Sequence, residues 1–226
     1  MKKIYLWMLA AIFSCGITPV HAQMEPGTFS IIPKLGFLGA SMTHMPNLPI
    51  DENIELKKAF FPGFLVGVEA EYQLTDMFSI AAGLNYTRQG GKWKDYSVLN
   101  YELKDIQMAL GYVNLPVVAN VYLFDGFAVK AGVQLGYLTN ADSQCKLMTH
   151  NPNGTIDIDK YDESIMSECN KLDFSIPVGI SYEFGDQLII DARYHLGLTR
   201  LNKEKDPDGN LCSRALVVTV GYRFPL

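Results

Sequence analysis

Apolar and polar residues alternate strictly over long stretches of this chain, and a period of two marks a β-strand with two unlike faces. Over 172–184 one parity holds Leu172, Phe174, Ile176, Val178, Ile180, Tyr182 and Phe184; the other holds Asp173, Ser175, Pro177, Gly179, Ser181 and Glu183. Over 188–199 Leu188, Ile190, Ala192, Tyr194, Leu196 and Leu198 alternate with a set that includes Asp191, Arg193, His195, Gly197 and Thr199. The pattern recurs at 28–39, 63–73, 77–88, 109–123, 126–138 and 214–224, which predicts eight strands.

The solvent that each face meets separates two architectures. A soluble lipid-carrying barrel turns its apolar set inward, whereas a membrane barrel turns it outward. The apolar faces here carry no charge, and aromatic residues such as Phe29, Phe64, Tyr72, Phe78, Tyr86 and Tyr182 lie near the strand ends. The other faces carry Lys34, Glu69, Glu71, Lys130, Asp173, Glu183, Asp191, Arg193 and Arg223. A lipid-binding cavity would not hold that set, while a lysine or arginine facing the bilayer midplane costs about 2–4 kcal/mol. The predicted fold is therefore all-β, an eight-stranded antiparallel up-and-down transmembrane β-barrel whose partner is outer-membrane lipid.

Connection lengths point the same way. They alternate long and short: 40–62, 74–76, 89–108, 124–126, 139–171, 185–187 and 200–213. Thr75-Asp76, Asp125-Gly126 and Gly185-Asp186 supply turn chemistry in the short ones. Membrane barrels have short periplasmic turns and longer extracellular loops, so both termini are expected on the periplasmic side. The inward face also carries many glycines, which would make room for Tyr112, Arg193 and Arg223 and give a plugged cylinder.

The composition fits an exported protein of one domain. The 226 residues are 48% hydrophobic and 19% charged with net charge −5, which argues against disorder and against nucleic acid as a partner. Lys2 and Lys3, the apolar run Ile4 to Phe13 and the small-residue pattern Val20-His21-Ala22 read as a signal peptide over 1–22, leaving 23–226 as the barrel domain. A lipoprotein acylated at Cys15 is the weaker reading of the same segment.

Three stretches carry a family resemblance. They are Tyr112-Val113-Asn114-Leu115-Pro116-Val117-Val118 with Val129 through Tyr137 after a tight turn, Asp173-Phe174 through Tyr182 leading to Asp191 through Leu198, and the terminal Val218 through Phe224. Together they resemble the PorT-type outer-membrane β-barrel family of Gram-negative bacteria. The resemblance implies the barrel fold and, for some members, an accessory role in protein secretion. It also implies that the barrel-assembly machinery reads the terminal aromatics, here Tyr222 and Phe224, although Pro225 and Leu226 follow them.

Few residues suggest chemistry. Cys145, Cys169 and Cys212 fall in predicted outer loops, where Cys145–Cys169 is the first candidate disulfide, Cys169–Cys212 its rival, and free thiols the remaining reading. Asp191, Arg193 and His195 alternate on one inward face, so His195 is a candidate general base. Five inward acids against four inward bases favour instead a neutralised polar network of Lys34, Glu69, Glu71, Lys130, Asp173, Glu183, Asp191, Arg193, His195 and Arg223. The acids of the 139–171 loop could hold calcium but read more simply as a solvated surface, and Asp206–Asn210 and Asn153-Gly154-Thr155 read as turns. Trp93 and Tyr96 could bind a glycan or pack on the rim. No catalytic or cofactor motif occurs, and none of the residues calls for a cofactor or metal. The reading that results is a non-enzymatic outer-membrane barrel with a surface-binding, envelope-structural or secretion-accessory role. A membrane-embedded hydrolase using His195 and a small passive channel are the alternatives.

Overall fold

The computed structural model describes residues 25–43, 48–51, 54–98, 101–151, 155–185, 187–203 and 211–226. The expected signal peptide at 1–22, with Cys15, therefore lies outside the described residues, as do Asp186, Asn153-Gly154 and the Asp206–Asn210 turn. Eight antiparallel strands form a closed ring: β1 (Phe29–Met42), β2 (Phe61–Gln73), β3 (Phe78–Trp93), β4 (Tyr101–Phe124), β5 (Phe127–His150), β6 (Leu172–Phe184), β7 (Leu188–Arg200) and β8 (Cys212–Tyr222). Each pairs with the next, and β1 closes on β8 from Lys34↔Gly221 to Met42↔Ser213. Phe224–Pro225 adds two more pairs to β1. The fold is the eight-stranded transmembrane barrel that the alternation predicts.

The short connections define a turn end. Gly126 (φ 76°) and Gly185 (φ 56°) take left-handed conformations that a β-carbon would strain, and they close the β4–β5 and β6–β7 hairpins. The β2–β3 turn is held by Thr75, whose hydroxyl accepts the Phe78 N–H at 3.1 Å.

Burial is inverted relative to a water-soluble protein. Phe37 is 79% exposed on the outer surface and Leu35 64%, while the intervening charged positions Lys34, Glu69, Asp191 and Arg193 are buried. Outward aromatics come in pairs eight positions apart: Phe29 and Phe37, Phe64 and Tyr72, Phe78 and Tyr86, Phe174 and Tyr182. Eight residues span about 27 Å along a strand. At a tilt of about 40° that is roughly 20 Å along the membrane normal, close to the apolar band of outer-membrane barrels. Aliphatic residues such as Val66, Leu84, Ile180 and Val218 fill the interval.

At the other end the strands outrun their predicted limits. The expected strands 109–123 and 126–138 are 24 residues each in the structure, reaching back to Tyr101 and on to His150. Crossing the bilayer needs only about 9–11 residues, so half of each strand stands beyond it. These extensions form a sheet at the loop end, with Tyr96–Val98 on β4 and Ile156–Ser164 on β5 as outer members. Much of the expected 89–108 and 139–171 loops is thus strand. Alternation weakens where both faces of a sheet meet water, which removes the signal that marked the membrane portion.

Candidate functional site

The lumen near the turn end is built around Arg223. Its Nε donates to Glu183 Oε1 at 2.8 Å and its Nη2 to Oε2 at 3.0 Å, while Nη1 lies 3.3 Å from Glu71 Oε1. Glu71 also accepts the Tyr122 hydroxyl at 2.6 Å and the Ser79 hydroxyl at 2.8 Å, and Asn120 donates to Ser79 at 2.8 Å. One cation thus serves two carboxylates, with neutral donors supplying the rest.

A second cluster lies further in, where Arg193 grips Glu69 with Nη1–Oε1 at 2.7 Å and Nη2–Oε2 at 2.9 Å. Its Nε and Nη2 also donate to Asp191, at 2.9 Å and 2.7 Å. Lys130 Nζ donates to Asp191 Oδ2 at 2.8 Å, and Lys34 Nζ pairs with Glu69 Oε1. Three cations here meet two carboxylates, the opposite imbalance to the Arg223 cluster. Charges so deeply buried persist because each is bonded to an opposite charge, with Arg193, Glu69 and Asp191 multiply so.

Small residues set the spacing. A β-carbon on Gly179 would come 2.8 Å from Arg193 Cα and 2.9 Å from its Cγ, and one on Gly83 2.6 Å from Glu69 Cγ. A β-carbon on Gly136 would come 2.7 Å from Asn114 Oδ1, with Tyr112 and Asp173 in ordinary contact beside it. Two voids beside the second cluster measure about 10 Å³ each, room for about one water apiece.

Two of the sequence candidates stand apart. Asp173 is buried near Tyr112 and joins neither ion-pair cluster. His195 is buried and lines one void with Asn85, whose Oδ1 has no hydrogen-bond partner among the described residues. A general base needs an orienting partner. Asp191 and Glu69, the carboxylates nearest in the network, are bonded to Arg193, Lys130 and Lys34.

The loop end of the lumen is apolar, which the expectation of a polar filling throughout did not anticipate. Leu38, Ala40, Phe61, Leu65, Ala109, Ala215 and Val217 pack above the Arg193 cluster. Beyond them Met42, Trp93, Leu110, Tyr112, Leu138, Ala141, Cys169 and Leu201 form a further cluster, with Tyr96, Ile165 and Met166 packed against it. Trp93 therefore packs inside, and the 165–171 segment folds over the mouth: Ile165 N–H donates to Ala141 O at 2.9 Å, and Leu138 N–H to Lys171 O at 2.7 Å.

Neither the Cys145–Cys169 nor the Cys169–Cys212 disulfide forms: Cys145, Cys169 and Cys212 are free thiols. Cys169 packs with Ala141, and Cys145 is four residues further along β5, about 13 Å at strand spacing. Cys169 faces Asn202 and Cys212 faces Arg200, so the chain following β7 runs between them. Strands lie about 4.8 Å apart, so a two-strand separation exceeds the roughly 7 Å Cα limit for a disulfide. Burial raises the pKa of the Cys169 thiol, and of Cys145 to a lesser degree of enclosure.

One feature of the loop-end sheet escaped the sequence pattern. Asp105 adopts φ 53° at a register shift in β4 and accepts Lys146 Nζ at 2.7 Å and Lys92 Nζ at 3.2 Å. These two lysines hold its carboxyl below the usual carboxylate range. The adjoining cleft of about 180 Å³ is lined by Asp105, Gln107, Gln144, Lys146, Lys160 and Asp162 among others. Among the described residues no group of three His, Cys, Asp or Glu side chains is placed to hold a metal.

A family of sequences described as the outer membrane protein beta-barrel domain matches this chain over residues 21–202. The chain belongs to that family. Its members' setting, the outer membrane, accounts for the inverted burial described above. No curated protein sequence matches the chain. Among solved structures it is similar to Ail, the attachment invasion locus protein of Yersinia pestis, at 16% identity and TM-score 0.45, covering 89% of this chain and 100% of that one. It is also similar to Neisserial surface protein A, at 15% identity and TM-score 0.43, covering 87% and 97%. A third is OprG from Pseudomonas aeruginosa, at 11% identity and TM-score 0.39, covering 89% and 98%.

Proposed function

We propose that this outer-membrane barrel is a closed, non-catalytic anchor that holds a binding surface beyond the bilayer, with its loop end extracellular and both termini periplasmic. The observation that carries the reading is the 24-residue length of β4 and β5, which builds an ordered sheet outside the membrane on a lumen that is filled at both ends. The charged residues of the interior act as a structural filling in this reading, and His195 belongs to that filling.

The residues quoted above resemble those of PorT-type barrels, and on that resemblance a secretion-accessory role is one form of surface binding. Tyr222 and Phe224, with ring centroids 4.9 Å apart on the outward face, would be read by the assembly machinery. The experiment replaces residues 143–164 by a short turn in the native host. The variant should still reach the outer membrane as a heat-modifiable barrel but lose the wild-type surface-binding, envelope or secretion phenotype. Retention of every such phenotype contradicts the reading.

A further inference from the structure

The loop-end sheet has an open edge. Ile156–Ser164 pairs with β5 through nine residues, from Ile156↔His150 to Ser164↔Asp142, and among the described residues no other strand lies along its far side. All nine residues are exposed, including Ile156, Ile158 and Tyr161. A strand this long presents a row of unpaired N–H and C=O groups, which native proteins usually shorten, bend or cover. It contains no proline.

The side chains say what would fit there. Successive residues of a strand point to opposite faces, so Asp157, Asp159, Tyr161 and Glu163 share one face. Their neighbours on β5 across that face are Thr149, Leu147, Cys145 and Ser143, none of them basic. The three carboxylates are therefore unneutralised from the β5 side, and whatever pairs along the open side faces them directly. A second copy does not meet the requirement. Two copies that met at this edge in one membrane would be related by a two-fold axis along its normal, so their strands would run parallel with equivalent residues level but on opposite faces, and the two pleats would be out of phase for a regular ladder.

We infer that Ile156–Ser164 is the docking edge for an extended, basic segment of another protein, which adds to the sheet as one more strand with Lys or Arg opposite Asp157, Asp159 and Glu163. Main-chain hydrogen bonds supply affinity in this mode and the alternate side chains supply selectivity. The inference rests on the reading of the loop end as a binding surface and specifies its partner.

The test uses the full-length barrel in lipid nanodiscs and a fluorescent nine-residue peptide that alternates lysine with threonine or valine. A second peptide of the same sequence carries N-methyl groups on alternate amides, which keeps its charge but blocks one edge of hydrogen bonding. The unmethylated peptide should bind, and methylation at the edge facing the sheet should weaken it by about tenfold or more, since several main-chain hydrogen bonds are lost. Asp157→Lys with Asp159→Lys should abolish binding while leaving heat-modifiability unchanged. Equal binding of both peptides, or equal binding to the charge-reversed barrel, overturns the inference. If that happens while the 143–164 replacement still abolishes the surface phenotype, the general binding role stands and only this edge is excluded. Tighter binding of a glutamate-containing counterpart peptide also overturns it.

Discussion

Glu69 and Arg193 lie 124 positions apart in the chain and meet across the lumen in a two-pronged contact, Nη1–Oε1 at 2.7 Å and Nη2–Oε2 at 2.9 Å. The pair ties β2 to β7, two strands that share no backbone hydrogen bond. Glu69 is also the carboxylate that Lys34 binds, so removing Glu69 leaves a buried lysine uncompensated, at a cost of about 3–5 kcal/mol. Glu69→Leu should lower the stability of the barrel in detergent by that order, measured by urea unfolding. Arg193→Met should cost less, because Lys34 still neutralises Glu69 and Lys130 still neutralises Asp191. A single replacement with no effect would show that the pair carries no stability.

The glycine beside Arg193 is required for space. Gly179→Ala places a β-carbon within 2.9 Å of the Arg193 Cγ, whereas Gly39→Ala meets nothing within 4 Å. Overpacking typically costs about 1–3 kcal/mol. Gly179→Ala should therefore unfold at lower urea than Gly39→Ala in parallel titrations.

A lumen closed by the Arg223 and Arg193 clusters is expected not to conduct. Purified protein in planar bilayers should show no stepwise current at neutral pH. Triple truncation of Trp93, Leu110 and Leu138 to alanine removes much of the apolar cluster at the loop end and should still show none, because the Arg223 and Arg193 clusters close the passage further in. Regular steps from the wild-type protein would contradict a filled interior.

The loop-end sheet should loosen in acid before the barrel does. The Asp105 carboxyl is held below its usual range by Lys146 and Lys92, so this contact contributes at pH values above the unfolded carboxylate pKa and is lost as pH falls through the lowered folded value. The site is largely exposed, so the effect is small and screened by salt. Amide exchange at 101–107 and 144–148 should quicken below about pH 4 in the wild type. In Asp105→Asn it should already be quick at neutral pH.

Thiol reactivity should follow burial. A membrane-impermeant maleimide applied to intact cells should label Cys145 when the loop end is extracellular, and Cys169 should react only after denaturation. Absence of Cys145 labelling on intact cells, with labelling after lysis, would reverse the orientation.

The membrane portion of the fold is legible in the sequence because lipid and lumen impose opposite demands on alternate residues. Residues 172–184 and 188–200 run as strands within a residue of where the alternation ends. The ends of β4 and β5 are not legible, because residues such as Glu102, Lys104, Lys146 and Met148 have water on both sides and keep no period. Parity also collects the lumen charges but not their partners. It puts Glu69, Glu71, Arg193 and Arg223 inside, while the division into two clusters depends on strand register and tilt. Tyr122 shares the inward parity of its strand, and that signal could have found it. The apolar cluster around Trp93 depends on the 165–171 segment folding back, which no local pattern encodes.

What surrounds the apolar face decides whether the barrel lies in a membrane. Nitroxide labels placed singly at Val218, Ile190 and Leu84, and at the lumen position Thr219, can be read by electron paramagnetic resonance in lipid vesicles with oxygen and a water-soluble nickel chelate as relaxants. The first three should be relaxed by oxygen, which concentrates in the acyl region, and hardly by nickel, while the label at Thr219 should be shielded from both. Labels at Val218, Ile190 and Leu84 that are shielded from oxygen, in a protein that remains soluble without detergent, would contradict the barrel's placement in the membrane.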